Sequence, residues 1–443
     1  MSNIIKKLST SQIIILGFAA VILLGSLILM LPLCTRESHW TSFIDALFTA
    51  TSSVCVTGLV VHDTATYWSG PGQVIILCLI QIGGMGVITA ALAIIAVSGR
   101  KISLKQRSTV QEAISAPGVG GVVRLNWFII RMVIFLELLG AALMTPVFCR
   151  QMGFWKGLWY SLFHSVSAFC NAGFDLMGIR SHYSSLTSFA GQPLINLTIM
   201  GLIVVGGIGF MTWDDIKVYK HHLRRYHMQS KVILTTTFLL ILLPALYFYH
   251  CECAGLPGGT RFWTALFQAV TPRTAGFNTA DLGSFSETGV FFIIMLMLIG
   301  GSPGSTAGGM KTTTFAVLIS TTIAVFRKKD STHFFGRRIP EEAIKNALTI
   351  LIMYLVLFLT GGILICNLEN LPLLTCLFES ASAVGTVGLT LGITPGLGLF
   401  SKIILISLMF IGRVGGLTLV FSVFSFRKNQ SPVRLPQEKI TVG

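Results

Sequence analysis

The chain has 443 residues, of which 53% are hydrophobic and 11% are charged, and its net charge is +15 at pH 7. This composition excludes an ordinary soluble globular protein. The basic residues lie in clusters beside long apolar stretches, as the positive-inside rule requires of a membrane protein, so no nucleic-acid partner is expected. The same rule predicts that both termini are cytoplasmic. The clusters are residues 6–7, 100–107, 217–225, 327–329 with 337–338, and 427–428.

In chain order, the sequence predicts four repeats, each with a long helix, a short re-entrant helix, an extended loop and a second long helix. Repeat 1 (residues 1–108) has these elements at 13–33, 40–51, 54–59 and 74–98. Repeat 2 (109–228) has them at 127–149, 155–168, 170–174 and 193–212. Repeat 3 (229–336) has them at 232–249, 262–271, 273–278 and 289–326. Repeat 4 (337–443) has them at 347–366, 373–383, 385–389 and 403–426. The expected fold is an all-α integral membrane protein with eight spans around one central pore.

A short motif recurs in the four repeats, in which a Leu-Phe pair precedes a glycine by about ten residues. The pairs and glycines are Leu47-Phe48 with Gly58, Leu162-Phe163 with Gly173, Leu266-Phe267 with Gly276, and Leu377-Phe378 with Gly388. A helix of ten to thirteen residues is too short to cross a hydrocarbon core of about 30 Å. Its partly negative C-terminus and the carbonyl groups of the following loop would favour a cation at the axis. The motif therefore predicts a cation pore, although each glycine alone would also fit a tight turn or close helix packing.

The third repeat contains a glycine-rich stretch inside its second long helix, which is predicted to interrupt that helix. Unwound backbone at membrane depth is tolerated where it lines a water-filled path, so the intramembrane loop at residues 300–312 is a candidate gate. Two alternatives are a phosphate-binding loop, whose spacing from Gly304 through Gly309 to Lys311 is one residue too long, and glycines that allow tight helix packing.

Arg413 lies in the middle of an otherwise uncharged span, where a cation should face the axis or a partner. It is predicted to face the pore, with an ion pair to Glu379 or Glu137 as the alternative. Arg273 is expected to pair with Glu379 behind the loops. Four acidic residues are expected at the outer mouth, either to concentrate cations or as ordinary loop acids and helix caps. They are Asp45, Asp63, Asp175 and Asp281.

At these positions the sequence resembles the Trk, Ktr and HKT superfamily of potassium transporters, and most of all the Ktr membrane subunit. The matching stretches are residues 55–59, 170–174, 273–278, 300–312, 385–389 and 412–415. The resemblance implies a potassium filter at Val56, Thr57, Gly58, Asn171, Ala172, Gly173, Thr274, Ala275, Gly276, Thr386, Val387 and Gly388. It implies a gate at Gly300, Gly301, Ser302, Gly304, Gly308, Gly309, Lys311 and Arg413.

The resemblance also implies potassium uptake across the bacterial plasma membrane, some sodium permeation, a homodimer and a cytosolic nucleotide-binding regulatory subunit. No cofactor or metal is expected in this chain beyond the transported potassium. Repeat 2 carries Asn171 where the other repeats carry a threonine near the glycine, so the four loops are not identical.

Two other functions compete with a channel-like pore. A secondary carrier with sodium-coupled cation transport would show broken helices in matched halves of the chain, whereas only the span of repeat 3 is expected to be broken. A membrane enzyme would need a catalytic set of residues, and the sequence offers no Ser-His pair or metal-ligand spacing.

Overall fold

The structure is a computed structural model of the protein. It describes residues 9–87, 89–90, 108–109, 111, 121–415, 436 and 438. The regular secondary structure of these residues is almost entirely helical, which confirms the predicted all-α class. The predicted helix ends at residues 98 and 426 lie outside the described residues, as do the basic clusters at 6–7, 100–107 and 427–428.

The helices follow the predicted order along the chain. Repeat 1 contains α1 (Thr10–Leu29), α2 (Phe43–Val54) and α3 (Gly70–Met85). Repeat 2 contains α4 (Val122–Met152), α5 (Phe154–Phe169), α6 (Pro193–Gly207) and α7 (Phe210–Tyr219). Repeat 3 contains α8 (Met228–Tyr247), α9 (Gly258–Val270), α10 (Glu287–Met297) and α11 (Thr312–Phe326). Repeat 4 contains α12 (Glu341–Glu369), α13 (Leu373–Gly385) and α14 (Leu399–Val414).

Shorter elements lie in the connections between the helices. The 3₁₀ turns are Pro32–Cys34, Met177–Ile179, Thr187–Phe189, Leu223–Arg225, Leu282–Ser284 and Thr394–Gly396. One π-helical turn, Phe248–Glu252, continues α8. A small antiparallel hairpin of β1 (His333–Phe334) and β2 (Arg337–Arg338) links repeats 3 and 4.

Serine side chains begin several helices by accepting hydrogen bonds from backbone amides that have no partner within the helix. Ser42 Oγ accepts from Asp45 N at 3.2 Å at the start of α2, and Ser286 Oγ accepts from Gly289 N at 3.0 Å at the start of α10. Helix α5 begins directly after α4 because Gly153, with φ +84°, allows a sharp turn between them.

Four described helices are long and apolar enough to cross a membrane, namely α1, α4, α8 with its π turn, and α12. The pair α6 and α7 adds a fifth if it is counted as one bent span. These helices confirm a multi-pass membrane protein. The other apolar helices are shorter, so the described residues do not by themselves give the eight predicted spans.

The second helices of the repeats are more often interrupted than expected. The continuous helix predicted at 193–212 is wrong, because α6 and α7 meet at 97° beside Gly209, whose φ is +92°. The expectation that only one span is broken is therefore also wrong. Helices α3 and α14 likewise end at glycines with positive φ, Gly86 and Gly415. Repeat 3 is interrupted between α10 and α11, as predicted.

Packing between the helices follows one scheme in all four repeats. Each long first helix packs against the short helix that follows it, in the pairs α1–α2, α4–α5, α8–α9 and α12–α13. The helix after each loop packs against the short helix of the next repeat, in the pairs α3–α5, α6–α9, α10–α13 and α14–α2. The last pair returns to repeat 1, and an ion pair of 2.8 Å between Lys402 Nζ and Asp45 Oδ1 joins its two helices. The packing order of the four short helices therefore closes on itself.

Candidate functional site

The four loops that follow the short helices share one backbone conformation. In each loop, the residue two positions before the glycine of the Leu-Phe motif is not itself a glycine, yet it takes a left-handed conformation. The glycine of the motif also has positive φ. The left-handed residues are Val56 (φ 56°), Asn171 (59°), Thr274 (64°) and Thr386 (52°). The glycines are Gly58 (96°), Gly173 (71°), Gly276 (78°) and Gly388 (90°). A left-handed conformation is unfavourable for β-branched residues such as valine and threonine, so the surrounding packing must hold it.

Each of these glycines lies against a backbone carbonyl of the next repeat. A methyl group in place of the glycine hydrogen would lie 2.6 Å from Ala172 O at Gly58, 2.8 Å from Ala275 O at Gly173, and 2.5 Å from Val387 O at Gly276. At Gly388 it would overlap Thr57 O. The contacts run from repeat 1 to 2, from 2 to 3, from 3 to 4 and from 4 back to 1. The structure therefore brings the loops with all twelve predicted filter residues together in a closed ring. At the four glycine positions, any side chain would collide with the backbone of the neighbouring loop.

Hydroxyl side chains near the end of each short helix brace these loops, and the sequence interpretation missed them. The bonds are Gly58 N to Ser52 Oγ at 3.1 Å, Ser167 Oγ to Phe174 O at 2.7 Å, Thr271 Oγ1 to Phe277 O at 2.5 Å, and Gly388 N to Ser382 Oγ at 3.0 Å. All four residues are fully buried. The sequence did contain a signal for these four residues, because each lies four positions after the phenylalanine of the recurring Leu-Phe pair.

We expect Ser382→Ala to reduce the rate of rubidium uptake by roughly tenfold, because it leaves the buried Gly388 amide without its acceptor, at a cost of about 1–3 kcal/mol. The matched control is Ser380→Ala, on the same helix. Ser380 is equally buried, but its Oγ donates to Phe358 O at 2.8 Å, away from the loop. The control should lower thermal stability and keep the uptake rate. Equal loss of uptake in both variants would argue against a bracing role for Ser382.

The predicted gate loop lies against the ring and touches two other repeats. Ser302 N donates to Gly207 O of repeat 2 at 2.9 Å, and Thr306 Oγ1 donates to Phe169 O at 3.1 Å. Gly309 N donates to Gly412 O of repeat 4 at 3.3 Å. A methyl group on Gly308 would overlap the side chain of Thr386, one of the filter residues. The loop thus connects repeat 2 with repeat 4.

The geometry also bears on the two alternatives for this loop. The structure supports the alternative that the glycines allow tight packing, because a methyl group on Gly300 or Gly301 would overlap neighbouring atoms. The phosphate-binding alternative is not supported, because helix α10 precedes the loop where that motif needs a strand. Lys311 Nζ donates to Ala307 O at 2.9 Å and to Gly308 O at 3.3 Å, so it holds the loop itself.

Arg413 bridges the gate loop to repeat 1. Its guanidinium donates to Thr306 O in the loop, to Gly83 O, and to Gly84 O at 3.3 Å. Gly84, Gly207 and Arg413 occupy matching positions, since each is followed two residues later by a glycine with positive φ. One repeat therefore carries a cation at a position where two others carry glycine.

The predicted ion pair between Arg273 and Glu379 is wrong, and the alternative considered for Arg413, an ion pair with Glu379 or Glu137, does not form either. Arg413 binds the backbone carbonyls just described and forms no ion pair with a described carboxylate. Glu379 accepts hydrogen bonds from the hydroxyls of Thr390 and Thr394, and it does not pair with Arg273. Glu137 accepts from Gln81 Nε2 at 3.3 Å. Arg273 is buried, and its Nε has no hydrogen-bond partner among the described residues.

The four acidic residues expected at the outer mouth have different surroundings. Asp45 pairs with Lys402, while Asp63 and Asp281 accept hydrogen bonds from backbone amides of their own turns, so these two are loop acids. Asp63 also accepts from Tyr183 N at 2.9 Å, which links the outer loops of repeats 1 and 2. Burial raises the pKa of Asp175, in the loop above the ring, to about 7. Burial therefore disfavours the charged form of this carboxyl group.

Comparison with known proteins agrees with this geometry. The family model of the TrkH cation transport proteins matches residues 8–431. The chain belongs to the TrkH family. The Potassium/sodium uptake protein NtpJ of Enterococcus hirae is 40% identical over 448 residues, which cover 99% of this chain and 98% of that protein. The Ktr system potassium uptake protein B of Bacillus subtilis is 40% identical over 444 residues, which cover 99% of this chain and 97% of that protein.

A solved structure shares the fold. The crystal structure of the potassium transporter TrkH from Vibrio parahaemolyticus matches with a TM-score of 0.72 over 94% of this chain and 85% of that one, at 20% sequence identity. The resemblance to the Trk and Ktr proteins that the sequence predicts is thus confirmed. Membership of this family also confirms that the chain is a cation transport protein and not an enzyme.

Proposed function

We propose that this chain takes up potassium across the bacterial plasma membrane through a channel-like pore. Its four repeats would contribute eight spans, with both termini in the cytoplasm. The observation that carries the proposal is the closed ring of four loops with the same backbone conformation. The names of two relatives, a potassium/sodium uptake protein and a Ktr system potassium uptake protein, support potassium as the ion.

The ring has the chemistry that a dehydrated cation requires. Backbone carbonyls of the four loops can replace the water shell of the ion, and the C-termini of four short helices add a partly negative potential. The hydroxyls of Thr57 and Thr386 are buried and have no hydrogen-bond partner among the described residues. They are further oxygens that an ion in the ring could use. Potassium would therefore bind to backbone and hydroxyl oxygen, and no cofactor is needed.

The experiment that tests this function is complementation of a bacterium that lacks its own potassium-uptake systems. The chain should restore growth at low external potassium, and rubidium uptake measured in the same cells should be competed by potassium more strongly than by sodium. Restored growth without such competition would favour a less selective cation pathway.

The loop at residues 300–312 is the proposed gate. We expect deletion of residues 303–307 to increase rubidium uptake, because it removes Thr306 and its bonds to Phe169 and Arg413, and with them the barrier beneath the ring. Ser305→Ala is the control, since it keeps the loop length and removes only the bond from Ser305 Oγ to Ser302 O. A deletion protein that is stable in the membrane and shows unchanged or reduced uptake would contradict the gate.

The proposed assembly is a homodimer that binds a cytosolic nucleotide-binding regulatory subunit. The relative named as protein B of a Ktr system supports a multi-component system. The assembly predicts that the purified chain has the mass of a dimer in mild detergents, which light scattering coupled to size-exclusion chromatography measures. A monomer in several such detergents would contradict the dimer.

A further inference from the structure

A strongly basic cavity lies on the surface that the positive-inside rule assigns to the cytoplasm. Its volume is about 380 Å³. The lining residues are Tyr219, Arg224, Arg225, Tyr226, Met228, Lys231, Phe335 and Arg337. Two segments far apart in sequence build it: the connection between α7 and α8, and the β1–β2 hairpin between repeats 3 and 4. Nothing in the transport pathway proposed above uses this cavity.

The charges around the cavity are not neutralised by the protein. None of Arg224, Arg225, Lys231 and Arg337 forms an ion pair with a carboxylate of the described residues. The neighbouring Asp215 is already engaged, since its Oδ1 lies 2.6 Å from His227 Nδ1 and its Oδ2 accepts from His227 N at 3.1 Å. Four cations around one concave surface create a positive potential that favours an anion.

The protein holds this surface in place by bonds to its backbone. Lys231 Nζ donates to Arg224 O at 2.6 Å, and the buried Tyr226 donates through its hydroxyl to Lys220 O at 2.5 Å. These bonds fix the turn that carries Arg224 and Arg225. The side chains of Arg224 and Arg225 themselves remain exposed. Each guanidinium group can bind two oxygens of a phosphate group at once.

The position of the cavity along α8 places it at the depth of lipid headgroups. Lys231 lies in the first turn of this spanning helix. Phe238, seven residues later, is 62% exposed on the surface that faces lipid. Seven residues of helix correspond to about 10 Å, so Lys231 lies beyond the exposed apolar surface of α8, on the side of the headgroups. Phe335, which lines the cavity, is 56% exposed, and Leu223, next to Arg224 in the sequence, is 60% exposed. Exposed apolar side chains beside cations are typical of a membrane interface.

We propose that this cavity binds the phosphate group of an anionic lipid from the cytoplasmic leaflet. The arginines contact the phosphate oxygens, and the acyl chains lie along the exposed apolar surface of α8. The bound lipid ties the connection between repeats 2 and 3 to the hairpin between repeats 3 and 4. The assignment of the leaflet rests on the proposed orientation of the chain. The binding site itself does not, and its test involves no transport.

The test measures binding of phosphatidylglycerol to the purified full chain in a neutral detergent by native mass spectrometry. The cavity variant is Arg224→Gln with Arg337→Gln. The control, Lys329→Gln with Arg338→Gln, removes the same charge from exposed positions of the same surface outside the cavity. Because each juxtamembrane cation strengthens binding to anionic lipid severalfold, the dissociation constant should rise roughly 30-fold in the cavity variant and little in the control.

Competition separates the sources of the anion. Phosphatidylcholine, inorganic phosphate and a hexaglutamate peptide are each added to the complex with phosphatidylglycerol. Retention of phosphatidylglycerol against all three supports the lipid. Displacement by millimolar inorganic phosphate supports the phosphate chemistry and overturns the lipid as its source. Displacement by the peptide alone overturns the proposal in favour of an acidic protein segment. An equal loss of affinity in the cavity and control variants overturns the site.

Discussion

Replacing Gly388 by alanine is expected to reduce rubidium uptake by at least tenfold while the protein remains in the membrane. Two effects add at this position. The backbone has φ +90°, which costs an alanine about 1–2 kcal/mol, and the added methyl group would overlap Thr57 O of the neighbouring repeat. The carbonyl must then move, and a displaced carbonyl no longer points at an ion on the axis.

Gly392 provides a matched control for this experiment. It has nearly the same conformation, with φ +92°, but a methyl group there would meet no atom within 4 Å. Gly392→Ala therefore carries the same backbone strain without the collision, and it lies outside the ring. We expect it to keep rubidium uptake and the preference for potassium over sodium. If Gly388→Ala and Gly392→Ala had the same effect, backbone strain alone would explain both, and the assignment of the ring as a filter would lose its support.

Arg413→Gln is expected to increase rubidium uptake roughly tenfold, because it removes charge-assisted hydrogen bonds that hold the gate loop to repeat 1. The guanidinium binds Thr306 O on one side and Gly83 O on the other. Loss of this bridge makes displacement of the loop less costly. Loss of the charge also lowers the electrostatic barrier to a cation in the path.

Arg413→Lys separates these two contributions. Lysine keeps the positive charge but has a single ammonium group in place of the fork that reaches both carbonyls. If the bridge matters most, the lysine variant should also transport faster; if the charge matters most, it should behave like the original chain. Because Arg413 forms no ion pair with a described carboxylate, neither variant leaves a buried acid unpaired. Reduced uptake in the glutamine variant, measured at equal protein level, would contradict a role in closing the path.

Much of the candidate site could be predicted from the sequence because its features are local. A ring of carbonyls needs glycine where two backbones meet, and Gly58, Gly173, Gly276 and Gly388 recur at nearly equal offsets from a Leu-Phe pair. A glycine-rich stretch cannot remain helical, so the interruption between α10 and α11 was also predictable. The lengths of the apolar stretches indicated a membrane protein for the same reason, because they are a local property of the chain.

What the sequence could not determine depends on which atoms meet after folding. The bend between α6 and α7 was missed because one glycine, Gly209, does not reveal the angle at which its two helices continue. Charge alone suggested a carboxylate partner for Arg273, and as an alternative to a pore-facing position also for Arg413. The tertiary structure instead gives Arg413 the carbonyl of Thr306 in the gate loop and the carbonyl of Gly83 in the last turn of helix α3.

The basic cavity shows the same division between sequence and tertiary structure. The sequence identified the clusters at 217–225 and 337–338 as cytoplasmic connections, because cations collect on that side of a membrane. More than a hundred residues separate the two clusters, and nothing in their spacing indicates that they meet. Packing of helices α8 and α11 against each other brings the two connections together, so that Arg224 and Arg337 line one cavity. Local composition thus determined the fold class and the position of the loops, whereas long-range packing decided which charged groups became neighbours.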